Sequence, residues 1–183
     1  MKINQIKSAK TIEKILFPSN VLISAALIAI IYQYSSPYFL NHLLIFFSSL
    51  AIYIFFRRRL DKKIKNETKK FSFPALFVIA FILLVLFLIP ISKELKIAFW
   101  VLVTLTIIFH LVRDKWKISG HSATYAAAVT MLTILNRYFA IFWVLLPLVI
   151  WSRLKLKRHT FWQIAAGILL GILIPVLFYF LLL

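Results

Sequence analysis

Apolar runs approaching or exceeding about 18 residues, the length that reads as a membrane-crossing helix, alternate with short polar returns along this chain. After a polar, basic lead-in over residues 1–16, which suits an interfacial helix, the pattern predicts spans over about 17–35, 38–56, 72–91, 97–112, 121–135 and 138–151. A last apolar segment runs from about 160 to the C-terminus. Pro37, the stretch Ile91-Ser92-Lys93-Glu94-Leu95 and the pair Asn136-Arg137 mark tight returns. The fifth and sixth spans are short for ~30 Å of hydrocarbon at ~1.5 Å of rise per residue, so they extend into their loops or sit inside the bundle with water access. The expected fold is all-α, a polytopic membrane helical bundle of six or seven transmembrane helices in a single domain.

Composition reinforces that reading. Of the 183 residues, 63% are hydrophobic and 18 are Phe, well above the half or so of soluble domains. The first apolar run is too long for a removable signal peptide and has no small-residue cleavage site, so it is read as a retained first span. No cysteine is present, which excludes disulfides, zinc-thiolate sites and a catalytic thiol. The net charge of +17 would suggest nucleic acid in a soluble protein. In a membrane protein it marks cytoplasmic loops and attracts anionic lipid headgroups, and no nucleic-acid partner is expected.

The charge also fixes an expected topology. The lead-in, the segment 57–70, the turn at 113–122 and the loop at 152–159 fall on one side, with all of the 22 Lys and Arg residues except Lys93, Lys96 and Arg137. By the positive-inside rule that side, with the N-terminus, is cytoplasmic. The imbalance survives removal of Lys63, Lys70 and Arg153, which are also candidate ligands. Trp100, Trp143 and Trp151 read as interface anchors, His42 and His110 as interfacial residues, and Gly167 with Gly171 as a close helix-packing pair.

Two polar stretches carry candidate chemistry. Lys117-Ile118-Ser119-Gly120-His121-Ser122-Ala123 and Ser152-Arg153-Leu154-Lys155-Leu156-Lys157-Arg158-His159 each place a histidine in basic company before an apolar helix. Helix starts offer unpaired N–H groups and a positive dipole end, both suited to phosphate. Arg153 can grip two oxygens in a fork, with Lys63 and Lys70 as point charges. Backbone N–H groups near Ser119 and Gly120 and the Ser119 hydroxyl can add donors. Glycine at 120 lets the chain approach a ligand closely.

Ser119-Gly120-His121, followed by Ser152-Arg153, five residues and His159, resembles the type 2 phosphatidic acid phosphatase superfamily of membrane lipid phosphatases. The similarity covers roughly residues 57–175 and departs from the family in places. Ile118 stands where Pro is usual, Gln163 stands where Asp is usual, and the first motif is reduced to Lys63, six residues, then Lys70 and Phe71. Lys62 and Lys69 fit the same spacing one residue earlier. The resemblance implies His159 as the nucleophile, through a phosphohistidine, and His121 as the general acid, with Ser152 and Gln163 in support. Gln163, four residues after His159, is expected one helical turn away, its carbonyl fixing the His159 tautomer without the charge that would stabilise an imidazolium.

The expected substrate is a lipid phosphate or isoprenoid diphosphate within membrane lipid. No metal or other cofactor is expected, because carboxylates and histidines are not clustered at ligand spacing. The five acidic residues, of which Asp61, Glu67 and Asp114 fall on the active face, are too few for the Asp-rich motifs of a prenyltransferase or alcohol-phosphotransferase fold. The alternatives are a non-catalytic lipid-phosphate binder and a phosphotransferase on the same scaffold.

Overall fold

In the computed structural model, residues 2–61, 79–81, 83–84, 88–112 and 116–182 are described, and every regular element among them is helical. Lys63 and Lys70, with Lys62 and Lys69, lie outside the described residues, as do most of the span expected over 72–91 and residues 113–115 of the central turn. The helices are α1 (Lys2–Ile15), α2 (Pro18–Tyr32), α3 (Phe39–Asp61), α4 (Lys93–Val112), α5 (Gly120–Leu135), a 3-10 helix (Arg137–Leu145), α6 (Leu146–Lys155) and α7 (Phe161–Leu181). Three segments are long and apolar enough to cross a bilayer: Phe39–Phe56, Arg137–Lys155 and Phe161–Leu181. A fourth arises if the bent pair Asn4–Ile15 and Pro18–Tyr32, angled at 47°, is one span. The protein is therefore an all-helical membrane protein with three or four such spans among the described residues.

The chain divides into two compact units, residues 1–29 with 97–183, and residues 30–96. In the smaller unit, a polar knot joins the turn after α2 to the return before α4. Ser92 donates its N–H to His42 Nε2 at 3.1 Å and its hydroxyl to Gln33 Oε1 at 3.1 Å. Gln33 in turn donates to Glu94 at 3.2 Å. His42 is only 1% exposed, so it is a buried, hydrogen-bonded link and not the interfacial residue the sequence suggested. Its Nε2 lone pair satisfies a backbone donor that would otherwise be costly to bury.

The larger unit carries both histidine motifs. Its most extensive helix contact is α5 against α7, and small residues make the approach possible. A Cβ added at Gly167 would stand 2.5 Å from Ser122 Oγ and 2.6 Å from the Ser119 carbonyl, and one at Gly171 would collide with the Ala123 carbonyl. Both glycines are thus packing residues, as the small-residue spacing predicts. The Ser122 hydroxyl crosses the contact to the Ile164 carbonyl at 3.2 Å. Below it, Ile97, Val101 and Leu105 of α4 close an apolar cluster with Ala127 and Ile174.

A second cluster, Tyr125, Val129 and Val149, receives Leu16, Val21, Phe142, Trp143 and Leu146. The bend between α1 and α2 has a local cause. Pro18 opens α2, where its missing N–H is harmless, and Asn20 donates back to the Lys14 carbonyl at 2.9 Å. The α1 helix then lies along α6.

Candidate functional site

The site is assembled where α5 and α7 begin side by side. Ser119 is the N-cap of α5, with extended backbone (φ −75°, ψ 102°) and its Oγ accepting from the Ser122 N–H. This is the cap chemistry that a Ser before a helix favours. Ser119 also donates its own N–H to the Gln163 carbonyl at 3.0 Å, which pins the first turn of one helix to the first turn of the other. The two histidine motifs, distant in sequence, are joined by that bond.

These bonds correct part of the sequence reading. Ser119 is fully buried and its N–H is taken by Gln163, so it does not contribute the amide donor expected of it; its Oγ accepts from the Ser122 N–H, which leaves the hydroxyl proton to donate. Ser152, also buried, donates to the Val149 carbonyl at 2.9 Å and is tied into its own helix. At Gly120 an added Cβ would meet no atom within 4 Å. The backbone has open space beside it.

The stretch 152–159 is not one loop. Ser152 and Arg153 belong to the last turn of α6, which runs to Lys155. Arg158 N–H then reaches back to the Arg153 carbonyl at 3.1 Å and Lys157 N–H to the Leu154 carbonyl at 3.0 Å, with Lys157 left-handed at φ 51°. That is a Schellman ending, in which a lysine stands where glycine is usual. It turns the chain sharply enough to set His159 directly before the N-cap of α7.

Thr160 is that N-cap, and Gln163 completes a capping box. Gln163 N–H donates to Thr160 Oγ1, and Thr160 N–H donates to Gln163 Oε1 at 2.9 Å. His159 therefore lies outside the helix, while the Gln163 side chain still hydrogen-bonds its imidazole. A backbone group shares the role expected of the Gln163 carbonyl. His159 Nδ1 stands 3.1 Å from the Lys117 carbonyl. A carbonyl only accepts, so Nδ1 carries the proton and Nε2 keeps its lone pair. Burial holds the His159 imidazole below its ordinary value, the Lys117 hydrogen bond raises it, the Arg153 charge lowers it and the Gln163 side chain raises it.

Across the site, His121 sits in the first turn of α5, its ring edge-on to Phe17 at 5.3 Å between centroids. Its Nε2 is buried and finds no hydrogen-bond partner among the described residues. His121 lies within electrostatic reach of Arg153, His159 and Arg158.

Arg153 is 2% exposed, an unusual place for a guanidinium unless it is paired. Its Nη1 forms an ion pair with Glu13 of α1 at 2.8 Å. Nε and Nη2 are buried without a partner among the described residues. Those two N–H groups form the side edge of the guanidinium, which matches two oxygens of a carboxylate or phosphate.

Sequence reasoning missed Glu13, although a lone acid in the basic lead-in, ahead of any other acidic residue before Asp61, was a signal. It also missed the capping box, whose Thr-x-x-Gln pattern was visible. The geometry offers two imidazoles, one with a defined lone pair, within electrostatic reach of a buried arginine whose Nε and Nη2 have no partner among the described residues. Comparison with known protein families, with characterised proteins and with solved structures finds no match to this chain.

Proposed function

We propose that the protein is a membrane phosphatase acting on a lipid phosphate or an isoprenoid diphosphate through a phosphohistidine. The observation that carries this reading is the convergence of His159, whose Nδ1 is held by the Lys117 carbonyl so that the lone pair lies on Nε2, and the unpaired Nε–Nη2 edge of buried Arg153. An anion would satisfy donors whose burial is otherwise unfavourable.

In the proposed reaction the phosphoryl group is held by Arg153 beside Gly120. The His159 Nε2 lone pair attacks phosphorus in line, the bond from phosphorus to the leaving oxygen breaks, and His121, protonated only once the substrate anion offsets the positive charge around it, gives that oxygen its proton. His121, now neutral, takes a proton from water, whose oxygen attacks the phosphohistidine. The P–N bond breaks, and His159 regains its lone pair as phosphate leaves. The Lys117 carbonyl supports the positive ring of the intermediate, the task that an acidic residue at 163 would otherwise perform.

A non-catalytic phosphate binder is the second reading, favoured by the uncharged Gln163 and by the Glu13 carboxylate already neutralising Arg153. Phosphate release from a panel of lipid phosphates and diphosphates in detergent, with and without EDTA, separates the two. Release that EDTA leaves unchanged supports the phosphatase, and binding without release supports the second reading. Transfer of the phosphoryl group to an added alcohol would identify a phosphotransferase.

The proposed topology has six or seven spans with the N-terminus and the site on the cytoplasmic face, where newly made lipid phosphates of the inner leaflet would reach it. The chain has no cysteine, so one placed at exposed Lys10 reports sidedness directly. An impermeant maleimide should label it only after lysis. Labelling in intact cells would reverse the orientation.

A further inference from the structure

The N-terminal helix meets the site through one face. Gln5, Ala9 and Glu13, spaced by four, form a stripe along α1 that is buried at Ala9 and half-buried at Gln5 and Glu13, while Lys7, Lys10 and Lys14 are exposed. Ala9 is fully buried, Gln5 accepts from Lys155 Nζ of α6, and Glu13 holds Arg153. Two of these contacts thus grip the last turn of α6, at both ends of the Arg153–Lys155 stretch. Glu13 uses a single oxygen on a single guanidinium nitrogen, Nη1, and leaves the two-pronged Nε–Nη2 edge untouched. A carboxylate acting as a plug would occupy that edge.

We propose that Glu13 is a positioning residue for the anion site, holding Arg153 by Nη1 so that its Nε–Nη2 edge is kept for two phosphate oxygens, which makes α1 a working part of the site. An arginine side chain otherwise has many rotamers to lose on binding a ligand. Fixing it beforehand lowers the cost of capture. The proposal rests on the phosphate-site reading above, and it deepens that reading by assigning a residue outside both histidine motifs.

The test is a titration of the full-length protein in detergent with inorganic phosphate, followed by 31P NMR, on Glu13→Ala, Glu13→Asp, Glu13→Gln, Gln5→Ala and Arg153→Ala. Loss of a fixed, charge-assisted contact predicts a Kd about ten-fold weaker in Glu13→Ala. Glu13→Asp, which keeps the charge but withdraws the oxygen by one methylene, should also bind more weakly than wild type. Glu13→Gln, which keeps the acceptor and loses the charge, should stay within about three-fold of wild type. Gln5→Ala loosens the same helix without touching Arg153 and should leave Kd unchanged even if it lowers the unfolding temperature.

Binding as tight or tighter in Glu13→Ala would overturn the proposal and make Glu13 a competitor for the arginine. Equal weakening in Gln5→Ala would overturn it too, by reducing α1 to a strap. If Glu13→Ala does not fold, the order of Glu13→Gln above Glu13→Asp decides alone, and the reverse order overturns the proposal. Unchanged Kd in Arg153→Ala would remove the phosphate site itself. Loss of binding in Arg153→Ala with no effect at Glu13 would remove only the present inference.

Discussion

The mouths of α5 and α7 are built from similar ingredients, a hydroxyl residue that caps a helix and a histidine close by, yet they leave the two imidazoles in different chemical states. At α5 the cap precedes the histidine. His121 is carried into the first turn, against Phe17, with Nε2 buried and unpaired. At α7 the histidine precedes the cap. His159 stays outside the helix, where the neighbouring backbone can claim Nδ1 through the Lys117 carbonyl. A shift of a few positions relative to the N-cap separates a ring with a committed tautomer from one whose proton awaits a ligand. The first suits a nucleophile and the second an acid.

The largest effect expected from this asymmetry is on the histidines themselves. His159→Ala should reduce phosphate release to background with every substrate, because in the proposed reaction His159 supplies the attacking lone pair. His121→Ala should slow release strongly with lipid phosphates but much less with p-nitrophenyl phosphate, whose leaving oxygen needs little protonation. Equal losses on both substrates in steady-state assays would show that His121 does something other than proton transfer.

The glycines sharpen the comparison at the level of packing. Gly167→Ala puts a methyl against Ser122 and the Ser119 carbonyl, and overpacking of this kind costs about 1–3 kcal/mol. The unfolding midpoint should fall, and turnover with it, because the two helix mouths are pushed apart. Gly120→Ala meets open space and should change stability by less than about 0.5 kcal/mol. It should nonetheless raise KM, since the open space is where the phosphate is placed. Matched stability losses in the two variants would contradict that division.

A pH profile gives a smaller, signed effect. Burial holds the His159 imidazole below its ordinary value, so the ring stays neutral further into acid than a free histidine would. The acid limb of kcat/KM should lie below the ordinary imidazole value of about 6.5. Stability follows the same linkage. Below about pH 6.5 the unfolded chain takes up a proton at His159 that the folded protein resists, so stability falls as pH drops from there toward the lower folded value. His159→Gln should flatten part of that fall in thermal melts, and an unchanged slope would mean the imidazole is not held neutral.

Gln163→Asp should have the smallest effect. Asp is accepted in a first helical turn, where the dipole favours it, but its shorter chain weakens the return bond to the Thr160 N–H at a cost of about 0.5–1 kcal/mol. Turnover should hold or rise, because a carboxylate would add to the support His159 receives from Lys117. A marked fall in turnover would mean that the amide itself contacts substrate.

Much of this architecture was legible in the chain because it follows from local physics. Apolar runs and polar returns marked α2, α3, α5 and α7, Ser119 marked the start of α5, and Gly167 with Gly171 marked the tight contact that joins the two mouths. The parts that were hidden depend on residues acting against type. Lys157 ends α6 in a left-handed conformation that usually announces itself with glycine, so Ser152 and Arg153 read as loop when they are helix. The pairing of Glu13 with Arg153 is a tertiary contact between residues far apart in sequence, with no periodicity to reveal it. Gln163 was legible as an uncharged partner for His159, but its backbone tie to Ser119 and the share of the role taken by the Lys117 main-chain carbonyl are visible in no motif.

The central proposal, that His159 is a phosphoryl carrier with its lone pair on Nε2, is tested most directly by trapping the intermediate. Purified protein mixed with 32P-labelled phosphatidic acid or isoprenoid diphosphate and quenched in alkali should retain label on a histidine, stable to base and lost in acid. Peptide mapping should place it on His159, and His159→Asn should retain none. Hydrolysis with no labelled histidine at any quench time, or label on His121 instead, would contradict the account.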